Sequence, residues 1–433
     1  MITKKTIQEI KNNSFVRNVA TLAIGTAGAQ IIAIACSPVI TRLYTPEALG
    51  ILGVFMAFVG ILAPISALSY PIAIVLAKED REAKGIVQLS VCISLIFATI
   101  FLVIIFISGD LVLKYFGNNF KSSFIILIPI YVLFLAWVQI GQQWLIRKKQ
   151  FHISAKAVAI RSFLVNFAKI ALGVLNPLAI VLIVVTTLGG AFHSFILYLG
   201  ALKYGINEKI HTRSEKQIPL LLDLSKRYYD FPLYRTPQVF INAISQSLPI
   251  IMLSAFFGTN SAGFYAICRS ALGTPSQLIG KAVGDVFYPR ITEVVHKGGN
   301  VTRLLIKATL GLAAIGFFPF VLVILFGPWL FGLVFGPGWT VAGEYARWLS
   351  VMLFFNFINR PVVAVIPVLG YQKGLMIYEI FSTGTKLLAL YVGVRVFEDD
   401  IITVAIFSIF GAIAYFVLIS WVILSSRYSK KER

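Results

Sequence analysis

Acid is scarce in this chain of 433 residues: 18 Asp and Glu stand against 38 Lys and Arg. Histidine occurs four times and cysteine three times. His152, His193, His211 and His296 are scattered, with no HExxH pair to hold a zinc ion, and GxSxG elbows and Walker loops are absent as well. Acid–base, metal-assisted and ATP-driven chemistry therefore have little to work with, so an enzyme is not expected, nor a catalytic residue, a metal site or a cofactor. Cys36, Cys92 and Cys268 fall inside apolar runs without CxxC spacing, which excludes a disulfide framework and points to small core residues. Charge of either sign is sparse, at 13% of residues against 58% hydrophobic. A mean hydropathy of +0.85 lies well above that of a soluble domain.

What the chain does have is long apolar runs, such as Phe97 to Ile107, Leu178 to Val185, Gly311 to Leu325 and Ile401 to Leu424. They recur along the whole sequence, which argues for repeated membrane crossing and against one soluble core. In hydrocarbon every backbone N–H and C=O must be paired, leaving helices and closed barrels, and these runs are too long and uniform for barrel strands. The fold class is thus all-α, a polytopic membrane protein with about 12 transmembrane helices. Met1 to Ser14 is polar and Val16 to Ile40 is roughly twice a secretory apolar region, so it reads as a retained first span.

The net charge of +20 does not mark a nucleic-acid partner, because Lys and Arg concentrate in short connecting loops. Alternate loops are rich and poor in them: Lys78, Arg81 and Lys84 or Arg147, Lys148 and Lys149 on one side, little beyond Arg42, Lys114, Lys121 and Arg395 on the other. That asymmetry places both termini in the cytoplasm. The longest loop, from Lys203 to Arg235, separates six spans from six. It divides the chain into an N-terminal bundle (1–210), a cytoplasmic linker (211–230) and a C-terminal bundle (231–433). Local matches agree: YTPEALG (Tyr44 to Gly50) resembles FGTNSAG (Phe257 to Gly263), and Tyr70-Pro71 resembles Tyr288-Pro289. An even-numbered unit repeats in the same membrane sense, which is a transporter architecture.

Charges inside predicted spans are the strongest functional signal, because each costs several kcal/mol unless it meets a partner or a wet cavity. The candidate cationic lining is Arg269, Arg360, Lys169, Lys386, Lys281, Arg161 and Arg235. A plainer reading stands beside several of them. Arg161 and Arg347 lie close enough to span ends to snorkel, and Lys281 precedes Asp285 by one helical turn. Gln238, Asn242 and Gln246 extend a polar stripe from Arg235, and Asn18 and Thr21 begin a smaller one on the first span, where close helix packing is the alternative. Glu379 and Asp285 are the candidates for ion coupling, to H+ or Na+. The excess of cations fits an anionic ligand such as a phosphate or pyrophosphate.

The segments ITRLYTPEALGILGVF (Ile40 to Phe55), YPIAIVLAKEDREA (Tyr70 to Ala83), FFGTNSAGFYAICR and FYPRITE resemble bacterial polysaccharide flippases. These are the O-antigen and capsule repeat-unit translocases of the multidrug/oligosaccharidyl-lipid/polysaccharide exporter superfamily. The resemblance implies two six-helix bundles in a V, as in multidrug exporters of the MATE type, around a central cationic cavity. It implies a protein of the bacterial inner membrane that moves an undecaprenyl-pyrophosphate-linked oligosaccharide to the periplasmic leaflet, in lipopolysaccharide or capsule assembly. The implied partners are that lipid-linked substrate, membrane lipids and other glycan-assembly proteins, with the transporter itself monomeric. A lipid II flippase or a multidrug/cation antiporter would share the fold, and a glycan polymerase or acyltransferase is the alternative of another class.

Overall fold

A computed structural model describes residues 14–116, 122–207, 217–296 and 299–428, and its regular elements are helices throughout. Twelve carry the architecture. The first six are α1 (Ser14–Leu43), α2 (Pro46–Leu62), α3 (Asp80–Phe116), α4 (Ser122–Arg147), α5 (Phe151–Leu175) and α6 (Ala179–Leu202). The second six are α7 (Thr236–Phe257), α8 (Thr259–His296), α9 (Val301–Phe335), α10 (Thr340–Ile358), α11 (Gln372–Val392) and α12 (Asp400–Tyr428). The ends follow local chemistry. The Ala48 amide donates to Thr45 Oγ1 at 3.2 Å, capping α2, with Pro46 at its first position and Glu47 in its first turn. In α9, Phe326 leaves helical geometry two residues before Pro328, whose ring cannot accept a regular preceding turn.

The expected all-α fold of about twelve membrane helices is what the structure has, and among the described residues ten helical stretches are by themselves long and apolar enough to cross a membrane. At 17 residues, α2 is short, whereas α8 runs for 38 residues but carries Arg269, Lys281, Asp285, Arg290 and Glu293. One of the ten, Pro337–Leu369, is made of two helices that meet at Asn359, where Arg360–Leu369 starts as a separate helix on Pro361. The chain is an all-α, multi-pass membrane protein.

Residues fall into two compact units, one of 1–44 and 51–251 and one of 45–50 and 252–433. In the first, α1 packs on α5, while α4 packs on both α3 and α6. Its core gathers Ile74, Ala83, Ile86, Trp144 and Leu224. Leu224 belongs to a short helix, Gln217–Arg227, so this part of the expected linker is fastened to the first unit. Arg227 pairs with Glu82 at 2.8 Å, Tyr228 Oη donates to Glu82 at 3.1 Å, and Tyr70 Oη donates to the Ser225 carbonyl at 3.2 Å. The Glu82 side chain is only 11% exposed, so deleting it removes the acceptor of a phenol and a guanidinium together, at a cost of about 1–3 kcal/mol. Glu82→Ala is therefore expected to speed tryptic cleavage after Lys226 by about tenfold in native membranes; unchanged cleavage would mean the clasp holds nothing.

In the second unit α10 packs on α8, α9 and α12, and α11 lies against α12, around a core that includes Phe357, Val362, Val365, Leu418 and Val422. The segment 45–50 belongs to this unit because α2 and α8 meet there at glycines. A Cβ on Gly50 would overlap the Thr259 carbonyl, and a Cβ on Gly263 would overlap the Pro46 carbonyl. These are the glycines that close the matching strings YTPEALG and FGTNSAG. The repeated motif thus marks a point where two helices cross with no room for a side chain.

Candidate functional site

Five helices of the second unit, α8, α10, α11, α12 and the short helix Arg360–Leu369, bring polar groups together. Glu379 and Lys386 lie two turns apart on α11, hence on one face, and each interacts electrostatically with the other. Lys386 Nζ sits 4.8 Å over the ring of Tyr415 on α12, within cation–π range. Tyr415 in turn lies in the field of Arg360, Arg269 and Glu379 and interacts with Asn356. Arg360, placed at the helix break, reaches back to Asn356 Oδ1 at 3.4 Å. It has room because position 280 on α8 is glycine, where a Cβ would come within 2.9 Å of Arg360 Nε. Arg269 interacts with Tyr265 on its own helix.

Three cations lie in this cluster with the exposed carboxylate of Glu379, and among the described residues Arg360 and Lys386 join no ion pair. Arg360 Nε and Asn359 Oδ1 are buried without a hydrogen-bond partner. Such a donor-rich, partly open arrangement is suited to an anion with several oxygen atoms. Arg347 shows the contrasting case: Glu344 takes its guanidinium at 3.0 Å and the Leu325 carbonyl accepts at 3.2 Å, so its charge is spent locally.

A second cationic group lies inside the first unit. Arg161 on α5 donates to Tyr131 Oη on α4 at 3.0 Å and shares its field with Lys169 and His193. Arg161 Nε and His193 Nε2 are both buried without partners. The Lys169 carbonyl accepts from Tyr44 Oη at 2.9 Å, which fixes α5 against the end of α1.

Of the candidate residues, the structure gathers Arg269, Arg360, Lys386 and Glu379 into one cluster and Arg161 and Lys169 into the other. Arg235, Gln238, Asn242 and Gln246 form an exposed stripe that begins at the π-helical turn before α7, with Arg235 donating to Gln238 Oε1 at 3.1 Å. Asn18, Thr21, Lys281 and Asp285 sit on placed helices, but their side chains lie outside the described residues. Sequence reasoning missed Tyr131, His193, Tyr265, Asn356 and Tyr415. Only Asn356 gave a signal, one turn before Arg360.

Two solved structures illustrate the fold. An inward-facing multidrug resistance MATE family transporter of the MOP superfamily superposes with a TM-score of 0.66 at 16% identity, over 94% of this chain and 99% of its own. A MOP superfamily transporter from Pyrococcus furiosus, described as having a binding pocket of reversed polarity, gives 0.60 at 15% identity, over 96% and 95%. At such identities the likeness concerns the fold. No curated protein sequence matches. Residues 15–295 match the family described as polysaccharide biosynthesis protein; that is well over half of the sequence, and the chain belongs to this family.

Proposed function

We propose that the protein is a flippase for an undecaprenyl-pyrophosphate-linked oligosaccharide, an O-antigen or capsule repeat unit. It carries this substrate from the cytoplasmic to the periplasmic leaflet of a bacterial inner membrane by alternating access. The observation that carries the proposal is the convergence of three cations, Arg269, Arg360 and Lys386, around Tyr415. A glycan joined to a pyrophosphate cannot enter about 30 Å of hydrocarbon without replacements for its water. Guanidinium and ammonium groups supply them for the pyrophosphate, amides and phenols for the sugar, while the polyprenyl tail remains in lipid. Glu379, exposed beside Lys386, is the group placed to exchange a proton or Na+ as the substrate enters and leaves. The basic loops put both termini in the cytoplasm.

A cation antiporter of the same fold would need carboxylates within its spans to hold its cargo, whereas the charges gathered within this chain's helices are chiefly Arg161, Lys169, Arg360 and Lys386. The sign of the charge favours an anionic cargo. The deciding experiment removes the protein from its cells and identifies the lipid-linked oligosaccharide trapped on the cytoplasmic leaflet. Accumulation of a repeat unit is the expected result; accumulation of lipid II would overturn the assignment.

A further inference from the structure

An open groove of about 620 Å³ runs along the first unit between α3 and α6, floored by α4. Its wall is apolar, with Val91 from α3, Phe134 and Trp137 from α4, and Phe195 from α6. On the wall the Ser194 hydroxyl is turned back to the Ala191 carbonyl at 2.8 Å, and the mouth carries Gln88 and Asn207, whose amide donates to Tyr198 Oη at 2.7 Å. All three helices present the groove near the end that bears the basic loops. The α4 wall precedes Arg147, and the α6 wall precedes Lys203, which is exposed just past the end of α6 and four residues before Asn207 of the mouth. From Ala191, the deepest α6 residue of the wall, to the helix end at Leu202 is about 17 Å at 1.5 Å per residue. That is close to half of a hydrocarbon core of about 30 Å.

We infer that this groove holds one acyl chain of an anionic glycerophospholipid from the leaflet on the basic-loop side. The depth of one leaflet matches an acyl chain that ends at the bilayer midplane, whereas an undecaprenyl tail is much longer than one leaflet is deep. Lys203, exposed between the α6 wall and Asn207, has a stem long enough to carry its ammonium to a headgroup phosphate, and the Tyr198–Asn207 pair offers amide and phenol groups at the level of the ester linkages. A void lined by aromatic rings has no good alternative within a bilayer, because water would find few partners along its wall. The bound lipid would complete the packing between α3 and α6. This inference concerns the first unit alone and does not depend on what the protein transports.

The test uses the full-length protein in vesicles of phosphatidylethanolamine and phosphatidylglycerol, with a phosphatidylglycerol carrying a diazirine on one acyl chain. After irradiation, adducts are mapped by mass spectrometry. Adducts at Val91 and Phe195 are expected at about fivefold the density found at Phe106, which is 93% exposed on the open lipid-facing surface. Cys92→Trp fills the groove from an exposed position and should bring that density down to the Phe106 level; Val91→Trp provides an independent second filling. Equal density at all three sites in the unsubstituted protein would overturn the inference. So would labelling of the groove by a diazirine-bearing polyprenyl phosphate but not by the phospholipid, which would make the occupant a carrier tail.

Discussion

Replacing Arg360 with alanine should lower transfer of lipid-linked glycan between leaflets by about tenfold or more, the equivalent of one or two charge-assisted hydrogen bonds, while leaving the amount of folded protein unchanged or raised. The two halves of that expectation have one cause. Arg360 joins no ion pair among the described residues and its Nε is buried without a partner. Beyond its long hydrogen bond to Asn356 at 3.4 Å and the field of Tyr415, little in the resting protein offsets the desolvation of its side chain, and removing it leaves no charge stranded. A structural arginine behaves in the opposite way. Arg347→Ala would strand Glu344, its partner at 3.0 Å, and should reduce stability while sparing the transfer step. Arg360→Lys keeps the charge without the planar fork and should fall between the two in transfer. Measurement of lipid-linked glycan in each leaflet, normalised to protein level, separates these outcomes. Normal transfer by Arg360→Ala would sink the cationic-site reading.

The sequence was most informative where the bilayer dictates it. Long apolar runs and alternating loop charge require membrane helices, because lipid offers no other way to pair the backbone. It was least informative where a helix breaks the compositional rule for a reason of packing or function. Polar residues keep α8 from reading as one uniformly apolar span, and among them is Arg269, part of the cationic cluster. The break at Asn359 was hidden because Pro361 and Pro367 also occur within tolerated membrane helices. For the site, charges were visible one at a time, since each is anomalous in hydrocarbon. Tyr415 was not, because a tyrosine is unremarkable in an apolar run. Its importance comes from tertiary convergence, with α8, α10 and α11 all bringing groups to its ring and hydroxyl. His193 was dismissed as one of four scattered histidines, although α6 buries it in the field of Arg161.

The glycine pair shows what a sequence repeat can reveal about energetics, and it carries the second large effect. Gly50→Ala or Gly263→Ala should cost about 3 kcal/mol or more, seen as a clear fall in unfolding temperature and in recovered protein. The new methyl group at position 50 meets the Thr259 backbone and that at 263 meets the Pro46 backbone, so no flexible side chain can move aside. Helix α2 or α8 must shift as a whole. The double substitution should cost little more than the worse single one, because the first shift already opens the shared contact. Gly28→Ala and Gly311→Ala are the controls. Both glycines lie in helices and nothing stands within 4 Å of their added Cβ atoms, so alanine should be neutral or stabilise by up to about 1 kcal/mol through helix propensity alone. If all four variants unfolded at the same temperature, the crossing of α2 and α8 would be looser than its geometry requires, and the likeness of YTPEALG to FGTNSAG would have lost its physical basis.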